Sequence, residues 1–306
     1  MVLLKKVIQL ENKRINIMKM PIKIIVFLSL VSLTMGCNSG KGDTVKDNIS
    51  ESVVEQLSIQ GSVGQLKAEL QIPVLEQDVK CPLVILMHGF MSDKNYPLLT
   101  EIADRLQENG IASIRFDFNG HGESEGEFIN MTVPLEVEDA QAVYNYCRNL
   151  DFVSNISLAG HSQGGVVASL LGGKLKDAIK SIVLLAPAAV LVDDAKNGTV
   201  MGATFDPNNL PEYVNIFNHR VGRKYFKAAQ ALNIYDKADD FEGPVCLIHG
   251  REDQVVPYRY SEKYDEVYKN STLHLVDCEN HMFSEKMTFV ATIVVDFFKE
   301  QNKIAK

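Results

Sequence analysis

From about Val53 onward the chain alternates uninterrupted apolar runs of strand length with patterned stretches of 12 to 16 residues. A strand that is apolar on both faces must be covered on both faces, and successive parallel strands need a long crossover between them. The pattern therefore predicts an α/β domain, with a mainly parallel sheet between two layers of helices. Residues 54–60 and 65–72 read as an opening antiparallel pair, and 83–87 as the first strand buried on both sides. A helix over 97–109, closed by Gly110, a strand over 112–118, a helix over 135–150, a strand over 155–159, a helix over 164–176 and a strand over 181–185 follow. The alternation then breaks for roughly fifty residues, 188–242, a length that inside a compact domain reads as a functional lid. A strand over 245–249, a helix over 258–269, a strand over 272–276 and a helix over 285–301 complete the expected domain, 53–306.

Open parallel sheets present chemistry at the carboxyl ends of their strands. One such end reads Gly160-His161-Ser162-Gln163-Gly164, a Gly-x-Ser-x-Gly turn between an expected strand and an expected helix. This is the pattern of a nucleophile elbow, in which a strained turn projects the serine hydroxyl. A serine needs a base to take its proton and an acid to fix the base's tautomer, and in this architecture they follow in the order Ser, Asp/Glu, His. The strand over 245–249 leads into Gly250-Arg251-Glu252-Asp253, which offers Asp253, with Glu252 and more weakly Asp277 as competitors. Of the seven histidines, His281 alone falls in the loop after the last expected strand. His88, His121, His161, His219, His249 and His274 read as packing or hydrogen-bonding residues. The oxyanion of an acyl-transfer intermediate needs backbone donors. One is expected from the N–H of Gln163 at its helix N-terminus, the other from the loop 88–92.

At this point the chain resembles the α/β-hydrolase superfamily, and within it the bacterial cinnamoyl (feruloyl) esterases. The resemblance rests on Cys81-Pro82-Leu83-Val84-Ile85-Leu86-Met87-His88-Gly89-Phe90, on Arg115-Phe116-Asp117-Phe118-Asn119-Gly120-His121-Gly122, on Gly160–Gly165 and on Pro244-Val245-Cys246-Leu247-Ile248-His249-Gly250. It implies an α/β-hydrolase fold, with a mostly parallel eight-stranded sheet, helices on both faces and a small inserted lid. It also implies Phe90 and Gln163 as the oxyanion donors, and Ser162, Asp253 and His281 as the catalytic triad. The implied activity is hydrolysis of feruloyl, p-coumaroyl or caffeoyl esters with no cofactor and no metal, the substrate being a small-molecule ester of the kind found in plant cell walls. In such enzymes an acidic lid residue meets the phenolic hydroxyls. Asp194 stands at that place, beside Asp193, and Met201 stands where a polar lid residue is expected. A general short-acyl carboxylesterase or lipase-like hydrolase is the alternative within the enzymes, and a binding protein on a hydrolase scaffold the alternative outside them.

The front of the chain carries a different message. Lys19 and Lys23, the apolar run 24–35 and then Gly36-Cys37 form a secretory leader, its apolar run of about 12 residues too short to span a bilayer. Leu33-Thr34-Met35-Gly36-Cys37 resembles a bacterial lipobox, so 1–36 is expected to be a signal peptide and Cys37 a lipidation site. Met18 or Met20 reads as a better start than Met1. Polar residues over 37–52 read as a flexible tether, so the expectation is an exported lipoprotein held to the membrane by its lipid alone. Residues 1–36 hold six Lys/Arg and one Glu, which leaves 25 Lys/Arg against 38 Asp/Glu, a net charge of −13, on the rest. Such a body repels phosphate backbones, which excludes nucleic acid as a partner. Five cysteines, none in Cys-x-x-Cys spacing, exclude a disulfide scaffold and a structural zinc. Nothing in the sequence speaks to oligomeric state.

Overall fold

The computed structural model describes residues 51–304; the expected signal peptide, Cys37 and the tether as far as residue 50 lie outside the described residues. The chain opens with β1 (Val53–Gln60) and β2 (Gln65–Ile72), followed by β3 (Cys81–Met87), α1 (Pro97–Glu108), β4 (Ala112–Phe116), α2 (Val133–Cys147), β5 (Val153–His161), α3 (Gln163–Leu175) and β6 (Ile182–Leu185). After the insertion come β11 (Val245–Gly250), α7 (Arg259–Val267), β12 (Ser271–Val276) and α8 (Met287–Gln301). Eight strands form one sheet in the order β1-β2-β4-β3-β5-β6-β11-β12. Only β2 runs against the rest: β1 pairs antiparallel with β2, β2 antiparallel with β4, and every other pairing is parallel.

Strand alternation builds two cores. Leu83, Ile85 and Met87 of β3 point into the layer shared with α2, α3 and α7, while Val84 and Leu86 point into the layer shared with α1 and α8. Each such side chain contributes about 1.5–3 kcal/mol on leaving water, which is why β3 and β6 can be apolar throughout. The chain winds from β3 outward to β4, then returns and winds the other way through β5, β6, β11 and β12. The reversal falls between β3 and β5, the crevice where sheets of this type bind ligands. Both ends of the described body lie at the opposite edge. β1 runs with the parallel strands, so Val53 enters at their amino ends, and Asn302 beyond α8 accepts a hydrogen bond from Asn155 near the start of β5 (2.9 Å).

Several boundaries differ from expectation for local reasons. The helix expected from residue 135 starts at Val133, because Thr132 Oγ1 caps it by accepting the Leu135 N–H (3.3 Å) and Pro134 suits the first turn. The last helix starts at Met287 rather than 285, because the buried Glu279 carboxyl accepts the N–H groups of Glu285 (3.3 Å) and Lys286 (2.6 Å) and holds them in the preceding loop. The insertion over 188–242 is built of regular elements. It contains α4 (Val190–Asn197), the hairpins β7–β8 (Thr199–Val200, Ala203–Thr204) and β9–β10 (Tyr213–Ile216, His219–Gly222), then α5 (Arg223–Ala231) and α6 (Ile234–Ala238).

The α1/α8 layer gives a direct test of the packing account. Phe298 is fully buried there, so Phe298→Ala is expected to cost about 3–5 kcal/mol in denaturant unfolding. A loss below about 1 kcal/mol would remove that helix face from the core.

Candidate active site

Ser162 occupies the single residue between β5 and α3, with φ 56° and ψ −120°. L-residues avoid this region, and the turn is held there from outside: the Ser162 N–H donates to Leu185 O of β6 (2.8 Å), and its carbonyl accepts from Gly165 (3.0 Å) and Ala188 (3.0 Å). The flanking glycines are a matter of space. A side-chain carbon at residue 160 would overlap the carbonyl of Gly164, and one at 164 would overlap the carbonyls of Met87 and His88. Strand and helix therefore meet backbone to backbone, and the hydroxyl is left projecting from a corner.

The hydroxyl meets His281, which lies between β12 and α8: Ser162 Oγ stands 3.0 Å from His281 Nε2. On the other side of the ring, His281 Nδ1 stands 2.7 Å from Asp253 Oδ2. A nitrogen facing a carboxylate carries the proton, so Nδ1–H donates and Nε2 is left as the acceptor of the serine proton. Asp253, after β11, is itself fully engaged. Oδ1 accepts from the N–H groups of Val255 and Val256 (both 2.8 Å), and Oδ2 accepts from His249 Nε2 (3.1 Å) as well as from His281. Burial works to raise this carboxyl's pKa, yet the hydrogen bonds from His249 and His281 outweigh it and hold the group well below the usual carboxylate range. The competitors fall elsewhere: Glu252 and Asp277 are exposed, and Asp277 pairs with Arg251 (2.8 Å).

His249, expected only to pack or hydrogen-bond, orients the acid. Ser261 Oγ–H donates to its Nδ1 (2.7 Å), so its Nε2–H is turned to Asp253 and to the Val256 carbonyl (2.8 Å). The base is steadied in a similar way. His161 Nε2 donates to the His281 carbonyl (2.8 Å), and Tyr96, stacked on His161 at 4.8 Å, donates through its hydroxyl to the Met282 carbonyl (2.6 Å). Burial pushes the His161 pKa down to about 3, so this ring stays a neutral strut beside the reactive one.

Phe90 sits in the loop after β3, across the crevice from Ser162. Neither the Phe90 N–H nor the Gln163 N–H is used in a backbone hydrogen bond among the described residues, so both are free to meet an anion. The loop is pinned from beneath. His88 Nδ1–H donates to Gly89 O (2.8 Å) and its Nε2 accepts the Phe118 N–H (3.1 Å), while the buried Lys94 pairs with Asp117 (2.9 Å) and with Glu123.

The insertion reaches the same region. Tyr225 of α5 donates its hydroxyl to Gln163 Oε1 (2.8 Å) and lays its ring 5.5 Å from that of Phe90. Phe128 stands 5.5 Å from Phe90 on another side and 4.6 Å from His219 of β10. The two lid acids separate clearly. Asp193 accepts from the Tyr260 hydroxyl at 2.6 Å, whereas Asp194 is half-buried with one long bond from Thr199 (3.4 Å), and burial raises its pKa. Met201 is exposed at the β7–β8 turn, and Phe205 is spent on Phe226 (4.4 Å). Tyr225 carried no signal in the sequence, since an aromatic on an amphipathic helix reads as core. Among the described residues no cluster of three or more His, Cys, Asp or Glu could hold a metal ion.

The family model described as serine aminopeptidase, S33, matches residues 79–205, which takes in the Phe90 loop and Ser162 and ends before Asp253 and His281. A structure of Est1E from Butyrivibrio proteoclasticus with ferulic acid bound aligns at a TM-score of 0.78 and 33% sequence identity, over 81% of this chain and 99% of that one. An uncharacterised 31.7 kDa protein of Escherichia coli, from the traX-finO intergenic region, is 39% identical over 98 residues, 31% of this chain and 34% of its own length. Protein ABHD12B of Homo sapiens is 23% identical over 200 residues, 62% of this chain and 51% of its own length. The chain thus spans about a third to a half of the length of these two relatives.

The geometry at residue 162 has a measurable cost. Ser162→Gly and Ser162→Ala both remove the hydroxyl, but only glycine relieves the backbone. With strain of about 1–3 kcal/mol relieved and about 0.4–1 kcal/mol given back to the unfolded chain, Ser162→Gly should be the more stable of the two by about 1 kcal/mol in paired denaturant titrations. Equal stability would mean the turn is unstrained.

Proposed function

This chain belongs to the α/β-hydrolase superfamily, and on that premise we propose that it is a serine esterase that cleaves hydroxycinnamate esters through an acyl-enzyme. The observation that carries the reading is the unbroken path from Ser162 Oγ to His281 Nε2 (3.0 Å) and from His281 Nδ1 to Asp253 (2.7 Å). Ser162 Oγ attacks the ester carbonyl carbon as its proton passes to His281 Nε2. The carbonyl oxygen becomes an oxyanion, received by the N–H groups of Phe90 and Gln163. Collapse breaks the bond to the alkoxy oxygen, which takes the proton from His281 and leaves as the alcohol. A water molecule then attacks the acyl-enzyme with His281 again as the base, releasing the acid and restoring Ser162. Asp253 keeps its charge throughout and stabilises the imidazolium.

The acyl group is the finer part of the reading. Rings of Phe90, Phe128 and Tyr225 meet beside the Phe90 donor and supply flat apolar wall for a conjugated ring. The aligned structure of Est1E holds ferulic acid. Asp194, half-buried and weakly bonded, has acceptor capacity to spare for a phenolic hydroxyl, whereas Asp193 is occupied by Tyr260.

Turnover by the wild-type chain lacking residues 1–37 should vanish in Ser162→Ala, and a fluorophosphonate should label wild type alone; a turning-over Ser162→Ala ends the mechanism. Asp194→Ala should lower kcat/KM about ten- to a hundredfold on methyl caffeate or methyl p-coumarate, with little change on a butyrate ester. Equal losses on both would take Asp194 out of the acyl site, and a wild-type preference for butyrate would favour a general carboxylesterase.

The leader supports a place for this activity at a membrane, through lipid on Cys37. Expressed in a Gram-negative host, the full chain should sediment with membranes and Cys37→Ala should lose lipid. Unmodified wild-type protein in the soluble periplasmic fraction would end that proposal.

A further inference from the structure

Glu136 is a buried acid that the mechanism does not use. Glu136 lies on α2, 2% exposed, and both its carboxyl oxygens face the side-chain amide of Gln163, at 3.0 and 2.9 Å from Nε2. The same amide accepts the Tyr225 hydroxyl at its other end (2.8 Å). Glu136, Gln163 and Tyr225 thus form one hydrogen-bonded line from the sheet-covering helix α2, through the first residue of α3, to helix α5 of the insertion. Tyr225 in turn rests its ring on Phe90 at 5.5 Å. The line therefore involves the side chains of the two residues, Phe90 and Gln163, whose backbone N–H groups are assigned to the oxyanion in the mechanism above.

A cavity of about 150 Å³, lined in part by Met131, Leu135, Asp139 and Asn119, lies against Glu136. Burial lifts its pKa well above the usual carboxyl range. Glu136 lies in the first turn of α2, where the helix N-terminus favours an acid, yet a carboxyl buried this deeply is costly wherever it serves only to fill space.

We propose that Glu136 is a positioning residue for the oxyanion site: by holding the Gln163 amide so that its oxygen meets Tyr225, it sets the spacing of the Gln163 and Phe90 N–H donors and couples that spacing to the seating of the insertion. The proposal rests on the esterase reading above. For an ester whose acyl group is too short to reach the Tyr225 ring, it predicts a change in transition-state stabilisation with KM little changed, because neither Glu136 nor its bonds touch such a substrate.

The test uses Glu136→Gln, which keeps the volume and replaces one acceptor by an N–H donor, so that Gln163 Nε2 is held by a single oxygen instead of two. The hold on the amide whose oxygen meets Tyr225 is thereby weakened. On p-nitrophenyl acetate, whose acyl group is too short to reach Tyr225, kcat should fall about tenfold, part of the loss seen on removing one oxyanion donor, with KM held within about twofold. A trifluoromethyl ketone supplies the second readout. Ser162 Oγ adds to its carbonyl carbon, the proton moves to His281, and the oxygen becomes an oxyanion, so its inhibition constant should rise by the factor lost in kcat/KM. Tyr225→Phe, which cuts the other end of the line without a volume change, should show the same pattern, and the double variant should be no worse than the poorer single one. Wild-type kcat and ketone affinity in folded Glu136→Gln, or additive losses in the double variant, would overturn the proposal. If Glu136→Gln does not fold, undiminished kcat in Tyr225→Phe overturns it. A wild-type protein that neither hydrolyses the ester nor binds the ketone would instead defeat the esterase reading itself.

Discussion

The close approach of β5 to the first turn of α3 is the constraint on which the site depends. Carbonyls of Met87, His88 and Gly164 occupy the space where side chains at 160 and 164 would stand. Where the two backbones meet, Ser162 takes φ 56° and ψ −120°, and the Gln163 N–H, at the first residue of α3, is left without a backbone acceptor. The rest of the crevice is arranged around that corner: the β3 loop supplies Phe90 on one side, and the β11 and β12 loops bring Asp253 and His281 in from the other. Strain of this kind survives only where the surroundings over-determine it. Here the bond from the Ser162 N–H to Leu185 and those accepted by its carbonyl from Gly165 and Ala188 do so.

The polar groups behind the reactive ones follow a single rule, that a buried titratable group is either charged and saturated with donors or kept neutral. Asp253 is the first kind, with two backbone and two imidazole N–H groups on its oxygens. His161 and His121 are the second, each pushed down to about 3 by burial, so neither places a competing positive charge near His281. Lys94 and Asp117 cancel one another beneath the β3 loop. With a neutral His161 beside it, the His281 ring has the Asp253 carboxylate on Nδ1, which is the condition for a defined tautomer.

Much of this was legible in the sequence, because its cause is local. Apolar runs such as Leu83–Met87 announce strands buried on both faces, and the glycines around Ser162 announce a close approach. Asp253 and His281 could be located from chain order, since parallel strands deliver their following loops to one edge. The residues that escaped notice are those whose partners are distant in the chain. His249 reads as a strand-end histidine until Ser261 and Asp253 are seen on its two nitrogens, and Glu279 as a surface acid until the N–H groups of Glu285 and Lys286 are seen on it. Tyr225 and Glu136 sit on amphipathic helices where each fits the local pattern equally well as core or surface. Their meeting at Gln163 depends on how α2, α3 and α5 are stacked, and no periodicity within one helix encodes that.

The direction of β1 has a consequence for how such a molecule presents itself. Val53 enters the sheet at the amino ends of the parallel strands, and Asn302 meets Asn155 at that same edge, while Ser162, Asp253 and His281 all lie beyond the carboxyl ends. Both ends of the described body thus lie on the side of the sheet away from those three residues. A tag or solid support joined there leaves the loops that carry Ser162, Asp253 and His281 clear of the point of attachment.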